Sequence, residues 1–301
     1  MSRILPNSKK YKMEKIRKIT IKDKDYPKTL KQIAAPPKQI YVRGNINIEH
    51  LGIGVVGSRL PSSYGKQVTP KLTEELARSG LTIISGLALG IDALAHEAAL
   101  RVGGKTIAVL GSGIDDKSIY PAVHKNLANR IVESGGALVS EYEAGTKPER
   151  YHFPARNRII VGLSKGVVVI EAKEKSGALI TSKLAVENNR DVFAVPGPIT
   201  SHYSYGPNRL IRAGAKPVLD ANDILEEYGM VNQNRSAIKN LNNLSLSAEE
   251  KIIVNILKDS SAHIDEIIIR SNINTSSLNG LLIMMEIKGL IKNLGEGIYG
   301  L

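Results

Sequence analysis

Six short runs of nearly uninterrupted apolar residues constrain this chain more than anything else in it. They are Ile53–Gly57, Thr82–Ser85, Thr106–Leu110, Ala137–Ser140, Val167–Glu171 and Val192–Val195. A strand with one solvated face alternates apolar and polar residues, whereas a strand covered on both faces reads as a continuous apolar run. Between the runs lie stretches with helical patterning: Gly65–Ser79, Ile91–Arg101, Ala122–Glu133 and Ala178–Asn189. Strand–helix alternation of this kind predicts an α/β fold, a doubly wound and mostly parallel sheet with helices on both faces. The chain of 301 residues is long enough for one such domain plus a smaller one.

Ligands of doubly wound sheets sit beyond the carboxyl ends of the strands, so the residues that follow each run carry the functional signal. They are Gly57-Ser58-Arg59, Ser85-Gly86-Leu87-Ala88-Leu89-Gly90-Ile91-Asp92, Gly111-Ser112-Gly113, Glu141, then Glu171-Ala172-Lys173 with Ser176-Gly177, and Pro196-Gly197-Pro198. Glycines, hydroxyls and a few charges converge on one rim. Bare backbone N–H groups and helix N-termini of that sort bind anions.

The charge balance agrees. The net charge is +12, which favours a polyanionic partner. Residues 1–24 hold nine of the basic residues against Glu14 and Asp23, a net +7. That segment reads as a solvated basic tail or as an auxiliary phosphate-binding arm. The remaining +5 must then form a basic patch on the folded core.

Other classes are excluded. With no cysteine, the chain has no disulfide, thiolate metal site or cysteine nucleophile. No apolar run is long enough for a membrane helix, and Met1–Thr20 lacks the apolar core of a secretory signal; a cytoplasmic location is expected. Two local matches mislead. Gly52-Ile53-Gly54-Val55-Val56-Gly57 fits a dinucleotide fingerprint but runs through a strand instead of opening a helix. Gly104-Lys105-Thr106 resembles the end of a P-loop but enters a strand.

Beyond the sheet region, residues 230–246 are rich in Asn and Ser and read as a linker. Ser247 and Glu250 form a capping-box pattern ahead of a helix over Ala248–Leu257. Ile264–Ile269 and Ser276–Lys288 read as two more helices, and Asn293–Leu301 as a hairpin. The pattern fits a winged helix, or a plain helical cap or dimerisation element. The segment Ser276–Lys288 has only Lys288 as a basic residue, opposed by Glu286, too little for reading duplex DNA. A protein-contact role is expected there.

Taken together, the strand-end motifs resemble the DprA/Smf family of DNA-processing proteins. The resemblance rests on Val55-Val56-Gly57-Ser58-Arg59, on Ser85-Gly86-Leu87-Ala88 through Gly90-Ile91-Asp92 with His96, and on Tyr120-Pro121. It continues through Phe153-Pro154, Arg156-Asn157-Arg158-Ile159-Ile160, Ser176-Gly177-Ala178-Leu179-Ile180-Thr181, Ala194-Val195-Pro196-Gly197 and Gly206-Pro207-Asn208 to Gly214-Ala215. Upstream, Tyr26-Pro27 and Tyr41-Val42-Arg43-Gly44 also fit, so the likeness runs over about Asp25 to Tyr228. It implies an extended Rossmann-like fold with a C-terminal winged helix. It also implies single-stranded DNA binding, protection of incoming DNA, homodimerisation and delivery of the strand to the RecA recombinase in natural transformation. No cofactor and no catalysis are implied. Many members carry an N-terminal helical domain, for which this chain has only about twenty residues ahead of the matching region.

The DNA-contacting residues expected on these grounds are Gly57, Ser58, Arg59, Ser85, Gly86, Phe153, Arg156, Asn157, Arg158, Lys173, Lys175, Ser176, Gly177, Asn208 and Arg212. Arg59 can grip a phosphate or stack on a base. Arg156-Asn157-Arg158 reads as the opening of a helix, with one arginine facing the ligand and the other paired internally, since successive helical residues point about 100° apart. Phe153 serves as a stacking ring or as core. Asp92 and His96, four apart on one helix, are expected to be a cap and a packed ring and not a proton-transfer pair. With aromatics at 4% and no Trp, phosphate contacts should dominate. The competing reading is a nucleotide-hydrolysing enzyme such as a nucleoside-monophosphate phosphoribohydrolase, with Glu141 or Glu171 as its carboxylate.

Overall fold

The structure is a computed structural model that describes residues 15–48, 51–230, 247–258, 261–288, 290–295 and 297–300. Residues 1–14 of the basic segment, and the Asn/Ser-rich linker from 231 to 246, lie outside the described residues. The chain divides into two compact units, Met1–Val231 and Asn232–Leu301.

In the first unit the apolar runs become strands β3 (Gly52–Val56), β4 (Thr82–Ser85), β5 (Thr106–Leu110), β6 (Ala137–Ser140), β7 (Gly166–Val169) and β8 (Asp191–Ala194). These pair in parallel. Two strands that the apolar pattern did not mark join them. Arg17–Thr20 (β1), read from its charge as part of a basic tail, is an edge strand, and Gln39–Gly44 (β2) links it antiparallel to β6. The strand β9 (Lys216–Pro217) closes the other side, giving the order β1-β2-β6-β5-β4-β3-β7-β8-β9.

Both faces of the sheet are covered, as the continuous apolar runs require. Ile53, Val55 and Val168 meet Leu72, Leu76, Ile91 and Ala95, from helices α2 (Ser63–Arg78) and α3 (Ile91–Arg101). Val56, Val167 and Val169 meet Leu30 of helix α1 (Lys28–Lys31) and Ile159 and Ile160 of helix α5 (His152–Leu163), with Ala178 and Ala185 of helix α6 (Gly177–Glu187). Helix α4 (Lys125–Glu133) packs Leu127 and Ile131 against Leu110 and Leu138. Each fully buried aliphatic side chain contributes ~1.5–3 kcal/mol by leaving water. Helices α7 (Tyr205–Arg212) and α8 (Asn222–Leu225) finish the unit.

Strand β3 is the switch point. Its neighbours are β4 and β7. The chain leaves β3 through α2 toward one side of the sheet and leaves β7 through α6 toward the other. The loops after β3 and β7 therefore diverge and open a crevice at their carboxyl ends.

The second unit holds α9 (Ala248–Leu257), β10 (Ala262–His263), α10 (Ile264–Ser271), α11 (Thr275–Ile287), β11 (Lys292–Gly295) and β12 (Ile298–Gly300). The strands pair in the order β10-β12-β11. The capping box of α9 forms, with the Ser247 hydroxyl accepting from the Glu250 N–H and the Glu250 carboxylate from the Ser247 N–H. Ile253, Ile267, Leu278, Leu282 and Ile291 build its core. The basic residue beside α11, Lys288, donates to Glu250 at 2.7 Å.

Candidate nucleic-acid interface

The crevice at the switch point is a cleft of about 660 Å³. Of the residues expected from the sequence, Gly57, Ser58, Arg59, Phe153, Arg156, Asn157, Lys173, Lys175, Ser176 and Gly177 line it. Arg150, Tyr120, Pro154, Ile180 and Thr181 also line it and were not among the expected DNA contacts. Arg150 lies on the segment leading into α5, and only its closeness to Phe153 in sequence marks it. Arg59, Arg150, Arg156, Lys173 and Lys175 face a single lining acid, Asp92.

The cleft's first wall is the turn after β3. Gly57 leaves room for Ile91, whose side chain a β-carbon there would meet. Gly90 adopts φ +78°, a left-handed conformation, against the carbonyls of Ser58 and Arg59. The Ile91 N–H donates to the Ser58 carbonyl at 3.1 Å, locking the two turns together. Arg59 is exposed, with its guanidinium carbon 5.4 Å from the Phe153 ring centroid. Tyr120 lies 5.7 Å from the same ring.

The N-terminus of α2, beside this wall, is already occupied by the protein itself. Glu171, at the end of the run that forms β7, is 2% exposed. It accepts from the Ser62 N–H at 2.9 Å and from the Ser62 hydroxyl. A carboxylate at that point satisfies the helix dipole, so no phosphate is needed there. The N-terminus of α6 is different: Ser176 caps it through the Ala178 N–H, and Ser176 and Gly177 open onto the cleft between Lys173, Lys175 and Thr181.

The floor is Arg156, 5% exposed. Helix α5 begins at His152, so the Arg156-Asn157-Arg158 stretch sits a turn inside it and not at its start, which corrects the reading of these residues as an N-terminal anion site. Arg156 donates to the Val109 carbonyl at 2.8 Å, and its Nε has no protein partner. Burial pulls its pKa down to about 10, offset in part by Asp92. It remains a cation at neutral pH. Burial likewise raises the Asp92 carboxyl, against the pull of Arg156 and of the Ala88 and Gly86 N–H groups that it accepts from at 3.4 and 3.0 Å. His96 packs beneath with no exposure, its Nδ1 2.7 Å from the Thr106 hydroxyl, and burial lowers its pKa to about 3.

Five expected residues lie outside the cleft lining, each for a visible reason. Ser85 is fully buried and donates to the Val55 carbonyl at 2.6 Å. Gly86 belongs to a small side pit with Arg59, Gly111, Phe153 and Arg156. Arg158, two positions past Arg156, turns away from it to pair with Glu141 at 2.5 Å and to donate to the Ala35 carbonyl at 2.6 Å. The Asn208 amide clamps the backbone of Gly197, donating to its carbonyl at 2.9 Å. Arg212 is exposed at the end of α7.

The fold and the crevice together define an α/β protein of the Rossmann-like class with a cationic, partly aromatic switch-point cleft. A family model described as DNA recombination-mediator protein A matches residues 17–229, and one described as the DprA winged helix domain matches residues 239–297. The chain belongs to the DNA recombination-mediator protein A family, DprA/Smf. It is 46% identical over 219 residues to DNA processing protein DprA of Bacillus subtilis, over 72% of this chain and 73% of that one. It is 48% identical over 208 residues to protein Smf of Escherichia coli, over 68% of this chain and 55% of that one, just over half of that longer protein. Among solved structures, DprA of Streptococcus pneumoniae superposes with a TM-score of 0.66 at 44% identity, covering 71% of this chain and 75% of that one. DprA of Helicobacter pylori, whose structure is described as showing a single-stranded DNA binding mode, superposes with a TM-score of 0.62 at 31% identity, covering 70% and 95%. The second unit is the winged helix of this family.

Proposed function

We propose that the chain binds single-stranded DNA in the switch-point cleft, protects incoming DNA, and helps load it onto the RecA recombinase in natural transformation, working in the cytoplasm without catalysing a reaction. The observation that carries this reading is the cleft's charge and shape: five cationic side chains against one buried acid, the open N-terminus of α6, and the Phe153 ring on one wall. Its volume of about 660 Å³ is that of a ligand site. A duplex cannot enter such a space, whereas a splayed single strand offers phosphates and unstacked bases to it. The relatives named for DNA processing, and the single-stranded DNA mode described for the Helicobacter pylori protein, support the same reading. Among the described residues no helix is long and apolar enough to cross a membrane.

A nucleotide-hydrolysing enzyme is not favoured. The two carboxylates available for it are engaged elsewhere, Glu141 with Arg158 and Glu171 with Ser62. Self-association belongs to the same proposal, and analytical ultracentrifugation reads it directly.

The test is fluorescence anisotropy of labelled oligo-dT with the wild type and Arg59→Ala, across a salt series. With about four phosphates neutralised, log affinity should fall against log salt with a slope near −3, since each phosphate contact with single strands contributes about −0.7. Arg59→Ala should weaken binding and flatten that slope by one such increment. Absence of wild-type binding at low salt, or a flat plot, removes the reading.

A further inference from the structure

The free protein holds a second cation against a second ring. The Lys173 ammonium lies 4.8 Å from the centroid of Tyr203, matching the Arg59 guanidinium at 5.4 Å from Phe153. Arg59, Phe153 and Lys173 all line the cleft. Tyr203 stands just outside that lining, half-buried, on the segment between β8 and α7. The backbone under it is pinned. Its carbonyl accepts from the Ala172 N–H at 2.8 Å, and the Gly206 N–H donates to the Ala172 carbonyl at 2.8 Å. Its own N–H donates to the Ser201 hydroxyl at 3.3 Å, and the Asn208 clamp on Gly197 holds the near end of the segment. The ring is therefore carried at a fixed place beside the residue that precedes Lys173.

We propose that Tyr203 is a second base-stacking platform, and that Lys173 rests on its ring as a placeholder that a bound strand displaces. The inference deepens the single-stranded DNA reading and rests on it. An aromatic face attracts an ammonium and a nucleobase by the same electron-rich surface. A lysine on a half-buried ring at the edge of the cleft has a flexible four-carbon stem and can leave it. When a phosphate arrives at the mouth of α6, the ammonium moves to it, and the ring it leaves takes the neighbouring base. Arg59 and Phe153 stand in the same relation on the opposite wall. The strand then runs from Phe153 across the N-terminus of α6 and out over Tyr203, with a base stacked at each end and phosphates between. Low aromatic content does not oppose this, because two well-placed rings suffice for two bases.

The experiment places a single 2-aminopurine at successive positions of oligo-dT and reads its quenching on binding, with affinity and salt slope measured in parallel. The chain has no Trp, so protein emission does not obscure the probe. Two quenched positions are expected with the wild type. Tyr203→Leu keeps apolar bulk but removes the ring. It should erase one quenched position, leave the other, and weaken binding about ten-fold, which is ~1.4 kcal/mol and within the range for one base on one aromatic. Its salt slope should be unchanged, because no phosphate contact is lost. Tyr203→Phe should restore both positions and the affinity. If Tyr203 only props Lys173, Tyr203→Leu will flatten the salt slope and spare both quenched positions, which overturns the proposal; so does wild-type affinity in Tyr203→Leu. The two readings fail separately. Loss of binding in Arg59→Ala with no effect of Tyr203→Leu removes only the platform, whereas an Arg59→Ala protein that binds normally removes the cleft itself.

Discussion

A methyl group added at Gly86 should expel the floor of the cleft. The Gly86 backbone is not in the left-handed region, so alanine is free of backbone strain there, and in the unfolded chain it saves ~0.4–1 kcal/mol of entropy. The cost lies in space. The β-carbon would fall within the guanidinium of Arg156, overlapping its carbon and both terminal nitrogens. Arg156 is 5% exposed and cannot yield without leaving its pocket. Leaving breaks its bond to the Val109 carbonyl, a charge-assisted contact in the range of ~1.5–3 kcal/mol. It also strips the buried Asp92 of its counter-charge, which adds to the loss. The net destabilisation of Gly86→Ala should be about 3 kcal/mol after the entropic gain is subtracted. Urea unfolding measures it. The decisive comparison is the double variant. In an Arg156→Ala background the space is empty, and the added methyl should be neutral or mildly stabilising, giving a coupling energy close to the whole single-variant cost. A Gly86→Ala protein within ~0.5 kcal/mol of wild type, or one whose cost survives in the Arg156→Ala background, would refute the reasoning.

Glu171→Ala should destabilise by about 2 kcal/mol, because the half-buried Ser62 N–H and hydroxyl lose their acceptor at the start of α2. It should also weaken oligo-dT binding through the slackened Gly57–Ser62 turn. Glu171→Gln, which keeps an acceptor oxygen, should recover most of both in thermal melts and anisotropy; equal stability of Glu171→Ala and wild type would show that the cap is not anchored there. His96 sets an acid sensitivity. Its folded pKa of about 3 lies below the ordinary 6.5, so below pH 6.5 the unfolded chain takes up a proton that the folded chain refuses. Stability from this group is intact above pH 6.5 and falls by ~1.4 kcal/mol per pH unit as the pH drops toward 3. Asp92, with its pKa raised, acts in the opposite sense at acid pH, so the contrast to measure is wild type against His96→Gln. Unfolding free energies at pH 7 and pH 5 should differ by ~2 kcal/mol more in the wild type, and parallel profiles would remove His96 from the account.

The parallel core was legible because burial on two faces leaves an unmistakable run of apolar residues, and the structure places β4, β5 and β6 at the limits those runs indicate. The strand β1 was not. Arg17 and Lys18 are exposed and only Ile19 is buried, so an edge strand with one inward residue reads as a charged tail. What makes it a strand is β2, twenty residues away, whose own register is set by β6. The cleft was legible as a set of strand ends, since topology alone brings such ends together. The direction of individual side chains was not. Taking Arg156 as a helix-opening residue exposes it; starting α5 four residues earlier, at His152, buries it. Arg158 then turns toward Glu141 and Ala35, partners that no local pattern announces. Asn208 was placed at the rim for its polarity, and spends that polarity on the backbone of Gly197.

The margins of the large sheet limit how two copies of the molecule can meet. One margin is a four-residue strand with a cation at each of its first two positions, Arg17 and Lys18. The other is a pair of residues, Lys216 and Pro217, the second of which lacks an amide hydrogen to offer. Among the described residues neither margin offers another sheet a long ladder to grow onto, and each presents positive charge to its own likeness. A symmetric pair built from this chain is therefore expected to join through side chains on its flanks and not by extending the sheet.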